Sequence, residues 1–119
     1  MATTERINPL RITDNDTGNT YELDFSRESV AFAEGREFRL EDVTDFPVTK
    51  IPALWYYAFR KNHKNVARSQ TDALLDKIGG LTDAMLERLL LLYNQAALSN
   101  NILQTKEDLE KNARVTVEL

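Results

Sequence analysis

The chain has no cysteine, and that absence removes disulfides, thiolate nucleophiles and sulfur-ligated metal sites together. A thiol-free sequence suits a reducing compartment. Histidine occurs once, at His63, so no paired-histidine metal spacing such as HExxH exists. Ser69 follows His63 closely, but no acid is placed to orient the imidazole and no oxyanion loop accompanies it. Glycine is scarce, and neither GxGxxG, a P-loop nor GxSxG occurs. The one glycine pair, Gly79-Gly80, closes a helical pattern instead of opening a helix after a strand. No segment approaches the roughly 20 apolar residues of a membrane span, and MATTERINPLRIT lacks the apolar run of a signal peptide. Together these absences lead us to expect a cytoplasmic, non-enzymatic protein with no cofactor, no bound metal and no membrane partner.

What is present describes one domain. At 119 residues the chain can fill one core and not two. With 42% apolar and 29% charged residues it is ordinary for a globular protein, which argues against whole-chain disorder. The net charge of −4 is unevenly spread. Residues 1–47 carry eleven acids against five bases, and residues 72–119 carry eight against five. Between them, residues 48–71 carry Lys50, Arg60, Lys61, Lys64 and Arg68 with no acid at all. A local basic patch on an acidic body suits an acidic partner surface better than general nucleic-acid coating.

In chain order, Ile7 to Ile12 alternates weakly, and Thr20 to Phe25 alternates cleanly with Tyr21, Leu23 and Phe25 on one face. Asp14-Asn15-Asp16-Thr17-Gly18-Asn19 between them is turn-forming, so residues 1–25 are expected to form a β-hairpin. That loop is not a calcium loop, because it lacks glycine at the sixth position and glutamate at the twelfth. Ser26 should cap a short helix reaching Glu34, with Gly35 as its stop. Glu37 to Leu40 reads as a short strand or extended connection, and Glu41 to Phe46 as one helical turn ended by Pro47.

The chain is organised around Asp45 to Arg68, DFPVTKIPALWYYAFRKNHKNVAR, which holds the only tryptophan and the only histidine. Thr49 is the expected cap of its helix, with Pro52 in the first turn. Ile51, Leu54, Trp55, Ala58 and Phe59 then share an arc of roughly 140° and form a core face. Tyr56, Tyr57, Arg60, Lys61, His63 and Lys64 fall on the other side. Tyrosines interleaved with bases could stack nucleobases and hold phosphates, but the more ordinary outcomes are a solvated helix face or a protein-binding one. Nucleic acid therefore ranks behind a protein partner.

A helix from Asn65 to Ile78 should follow, stopped by Gly79-Gly80, and then one from Asp83 to Leu98 capped by Thr82. In the latter, Met85, Leu86, Leu89, Leu90, Leu92, Tyr93, Ala96 and Ala97 make a wide core arc. Leu91 and Leu98 fall outside it, on one polar side of the helix, where another helix near Leu103 and Leu109, a second copy of the chain or a different partner must cover them. Residues 99–119 form a polar segment ending in a strand or tail. The expected fold is α+β, an N-terminal β-hairpin packed on a bundle of about four helices within residues 26–98.

One stretch carries a resemblance. DVTDFPVTKIPALWYYAFRKNHKNVARSQTDALLDKIGGL, from Asp42 to Leu81, combines the Asp45-Phe46-Pro47 turn, the Lys50-Ile51-Pro52 helix start, the Tyr57-Ala58-Phe59-Arg60 run, Asn65-Val66-Ala67-Arg68 and the Gly79-Gly80 stop. Together with the closing KNARVTVEL it resembles a family of small phage and prophage proteins. Such proteins are encoded in the tail module of siphophages of Gram-positive hosts, between tail-tube and tape-measure genes, and by that position resemble tail assembly chaperones. The resemblance implies a protein of the bacterial host cytoplasm that binds a tail partner such as the tape-measure or tail-tube protein. A structural tail or head-tail component is the alternative, and a nucleic-acid-binding accessory protein a more distant one. On this reading the partner-binding residues are Tyr56, Tyr57, Arg60, Lys61, Lys64, Leu91 and Leu98, with self-association as a further use of the two leucines.

Overall fold

Local backbone chemistry sets each element of the fold, and the central helix then gathers them. In the computed structural model, which describes residues 6–98, two strands precede five helices, one of them a single turn. The fold is α+β. Strands β1 (Leu10–Asp14) and β2 (Asn19–Leu23) pair antiparallel, with Leu10 opposite Leu23 and Ile12 opposite Tyr21. That register puts the apolar set on one face, as the alternation predicts. Gly18 closes the turn at φ 77°, and its N–H donates to the Asp14 carbonyl at 2.7 Å.

Helix α1 (Arg27–Gly35) starts as expected: the Ser26 hydroxyl accepts the Ser29 N–H at 3.1 Å, and Ser29 Oγ accepts the Ser26 N–H at 2.8 Å. Its end differs from expectation. Gly35 stays helical, and the left-handed residue is Glu37 at φ 63°. The Phe38 N–H reaches back to the Ala33 carbonyl at 3.1 Å, which closes the helix and turns the Phe38 ring inward. Glu37 lies in the turn that closes α1, and Phe38 and Arg39 form an irregular connection in which no strand forms.

After α2 (Asp42–Asp45) comes α3 (Pro47–Phe59), which begins two residues before the expected cap. Pro47 occupies the first helical position, where its missing N–H goes unnoticed. Thr49 does not cap: its hydroxyl donates to the Phe46 carbonyl. Pro52 lies inside the helix, and the carbonyl it leaves without a donor is that of solvent-exposed Val48.

Helix α3 touches β2, α1, α2, α4 and α5, and this is why it is buried over most of its circumference. Leu54, Trp55, Ala58 and Phe59 are fully covered. Helix α4 (Arg68–Ile78) starts three residues later than expected, where the Gln70 side chain accepts the Ala67 N–H at 2.8 Å. Gly79 and Gly80, both at positive φ, end it. Helix α5 (Asp83–Leu98) has the expected bounds, with the Thr82 hydroxyl accepting the Met85 N–H at 3.1 Å. The expectation for 99–119, including cover from Leu103 and Leu109, lies outside the described residues.

Candidate interaction surfaces

The basic segment is the first candidate, and the fold uses most of its charge internally. Arg60 leaves the end of α3 and grips Glu28 of α1, with Nε to Oε1 at 3.0 Å and a terminal nitrogen to Oε1 at 2.9 Å. The same guanidinium stacks over the Phe32 ring at 3.7 Å. Lys61 Nζ reaches Asp24 Oδ2 at 2.7 Å, and that carboxylate is only 5% exposed. Asp24 Oδ1 meanwhile accepts the Phe25 N–H at 2.8 Å. Arg68 pairs with Asp72 one turn on. Lys64 stays exposed and enters no ion pair among the described residues.

These contacts show how the expected partner-binding residues are engaged within the fold. Arg60 and Lys61 tie α1 and the end of the hairpin to α3 instead of presenting open positive charge. Tyr57 was expected beside them on the polar side, but it is only 6% exposed and meets Phe38 and Phe32 edge-on. Its phenol pKa is raised, chiefly by burial. The reason is the α1–α2 connection, which folds back over the side of α3 that a helical wheel leaves empty. Tyr56 is half-buried, tilted against Tyr57 with the Arg68 guanidinium 5.7 Å from its ring centre. His63 Nε2 accepts the Glu22 N–H at 3.0 Å, so the histidine fastens the hairpin to the loop after α3.

The second candidate is the leucine pair of α5, which lies outside the core arc. Leu91 is 44% and Leu98 69% exposed on one side of α5, with exposed Glu87 and Asn94 beside them. The opposite side, through Leu89, Leu92, Tyr93 and Ala96, is core.

A third feature was not read from the sequence. Between the end of α1, the turn into α2 and the middle of α5 opens a cavity of about 760 Å³. Phe38 and Tyr93 line it with Leu40 and Asn94, and Glu34, Glu37, Arg39 and Glu41 complete the wall. The only signal for it in the sequence is the density of acids from Glu34 to Glu41. Its other half comes from a helix more than fifty residues away.

All 119 residues match the family described as Domain of unknown function (DUF5055). The chain belongs to the DUF5055 family. No curated protein and no solved structure matches it. Among the described residues of this DUF5055 member, no group of three or more His, Asp or Glu side chains is placed to hold a metal ion. Nor is any described helix long and apolar enough to cross a membrane. The chemistry on offer is an apolar strip, a carboxylate-walled cavity, and a basic helix end largely neutralised by its own fold.

Proposed function

We propose that the protein is a phage or prophage tail assembly chaperone-like protein, acting in the host cytoplasm by holding a tail partner such as the tape-measure protein. The observation that carries this reading is the pair of exposed leucines, Leu91 and Leu98, on a helix whose other side is fully used as core. A chaperone for a long, apolar-rich helical protein needs accessible apolar surface on a charged, soluble body. The chain supplies both, with a net charge of −4. The resemblance of Asp42–Leu81 to tail-module proteins names the partner class.

Nucleic-acid binding falls further behind, because Arg60, Lys61 and Arg68 already hold carboxylates. The test is co-expression with the tape-measure protein of the same phage or prophage. The proposal expects a higher soluble yield of that protein and joint purification of the two. Recovery of this chain as a stoichiometric part of finished tails would assign it to the structural class instead.

A further inference from the structure

The cavity between α1, α2 and α5 has a floor and a rim of different chemistry. Its floor is aromatic: Phe38 and Tyr93 are both buried, with ring centres 5.7 Å apart. Its rim carries Glu34, Glu37 and Glu41 against one base, Arg39. None of the three carboxylates enters an ion pair among the described residues. At about 760 Å³ it is of the size that ligand pockets have.

What marks it as more than a group of acids is the side chain of Tyr93, which lines it. Tyr93 is only 5% exposed, and its hydroxyl, which makes no hydrogen bond among the described residues, is not sealed from solvent. Burial first, then the negative charge of Glu34 and Glu41 and repulsion from the Tyr57 phenolate at high pH, pushes its pKa up to about 12. The phenol therefore stays protonated, lies near Glu34 and Glu41, and has oxygen lone pairs to offer. Beside it, Glu37 takes a left-handed backbone at φ 63°. Glu37 also lines the cavity.

We propose that this cavity binds the cationic side chain, lysine or arginine, of a partner polypeptide. The alkyl stem lies over Phe38 and Leu40, the charged head sits among the glutamates, and one of its N–H groups donates to the Tyr93 hydroxyl oxygen. A divalent metal is the wrong occupant, because these carboxylates are not grouped to coordinate one. A polypeptide suits the site better than a free amine because of what adjoins it. Asn94 lines the cavity, and Leu91 and Leu98 lie three residues before and four after it on the same side of α5. Through Asn94 one wall of the cavity shares the leucines' side of α5, an arrangement that suits a basic side chain flanked by apolar ones. The inference goes beyond the tail-assembly reading, since it holds for any partner of that chemistry.

The test uses full-length ¹⁵N-labelled protein and a helical peptide carrying one arginine with leucines three residues before and four after it. The expected result is a saturable shift of the Phe38, Tyr93 and Asn94 amide signals. Replacing the arginine by citrulline, its uncharged isostere, should weaken binding by about tenfold or more. Glu34→Gln with Glu41→Gln should do the same, and Tyr93→Phe should weaken binding without lowering the melting temperature. Equal binding of the citrulline peptide overturns the proposal without any protein variant, as does the absence of cavity shifts at millimolar peptide. N-acetylarginine amide binding as tightly as the peptide overturns the polypeptide part and leaves a small-amine site. Tape-measure co-expression plays no part in these readouts, so the two proposals fail separately.

Discussion

The indole Nε1–H of Trp55 on α3 donates to the backbone carbonyl of Thr71 on α4 at 2.9 Å, with both residues fully buried. The ring also meets Phe59 edge-on. One side chain therefore joins the central helix to its neighbour by packing and by a directed bond. Trp55→Ala should cost about 3–5 kcal/mol, a large part of the roughly 5–15 kcal/mol such a domain has. Trp55→Phe keeps an aromatic ring but removes the donor, and should cost about 1–3 kcal/mol. Urea denaturation measures both, and a Trp55→Ala protein as stable as the parent contradicts the assignment.

Lys61 and Asp24 form the least exposed ion pair among the described residues. Lys61→Met leaves the Asp24 carboxylate with the Phe25 N–H as its remaining bond, and should destabilise by about 1–3 kcal/mol. Adding Asp24→Asn should recover part of that loss, so the double-mutant cycle should give clear coupling. Purely additive effects would show that the pair contributes nothing.

Acid stability should depend on the hairpin turn. Lys77 of α4 holds Asp14 at 3.0 Å and Asp16 at 3.2 Å. The Lys77 hydrogen bond is the main cause that keeps the Asp14 pKa below its ordinary 3.8, and Asp14 in turn raises that of Lys77 above 10.5. A depressed carboxylate pKa stabilises the fold above the unfolded value, and this is lost as pH falls through the folded one. The raised lysine pKa stabilises below 10.5, and this is lost as pH rises through the folded value. The stability difference between wild type and Lys77→Met should therefore be flat between about pH 5 and pH 9 and vanish toward both extremes. A difference that persists unchanged at about pH 2 contradicts the pairing.

Single- and double-stranded DNA and RNA should show no mobility shift at about 50 mM salt, where phosphate contacts are strong. Three of the bases that would make them, Arg60, Lys61 and Arg68, are already paired with Glu28, Asp24 and Asp72, which leaves Lys64 too few companions. A shift that weakens steeply with salt contradicts this.

What was legible in the sequence was set by local chemistry. The hairpin face, the Ser26 and Thr82 caps and the Gly79 stop each depend on a few adjacent residues, and each is present. At the start of α3 two local signals competed: Thr49 is a good cap, but Pro47 fits the first helical position and wins. The burial of Tyr57 was not legible, because it depends on the turn that brings Phe38 over α3. The same turn creates the cavity by bringing Glu37 and Glu41 toward Tyr93. No periodicity announces a contact between segments so far apart. The left-handed Glu37 carries no sequence signal either.

The most direct test of the proposed function is partner capture by the wild type compared with the Leu91→Glu, Leu98→Glu double variant, each co-expressed with the tape-measure protein. Both leucines are exposed, so the variant should keep its circular-dichroism spectrum and melting temperature. Each leucine contributes about 1.5–3 kcal/mol on full burial in a complex. The account predicts that the wild type retains the tape-measure protein through size-exclusion chromatography and the equally folded variant does not. Retention by both alike, or by neither, contradicts it.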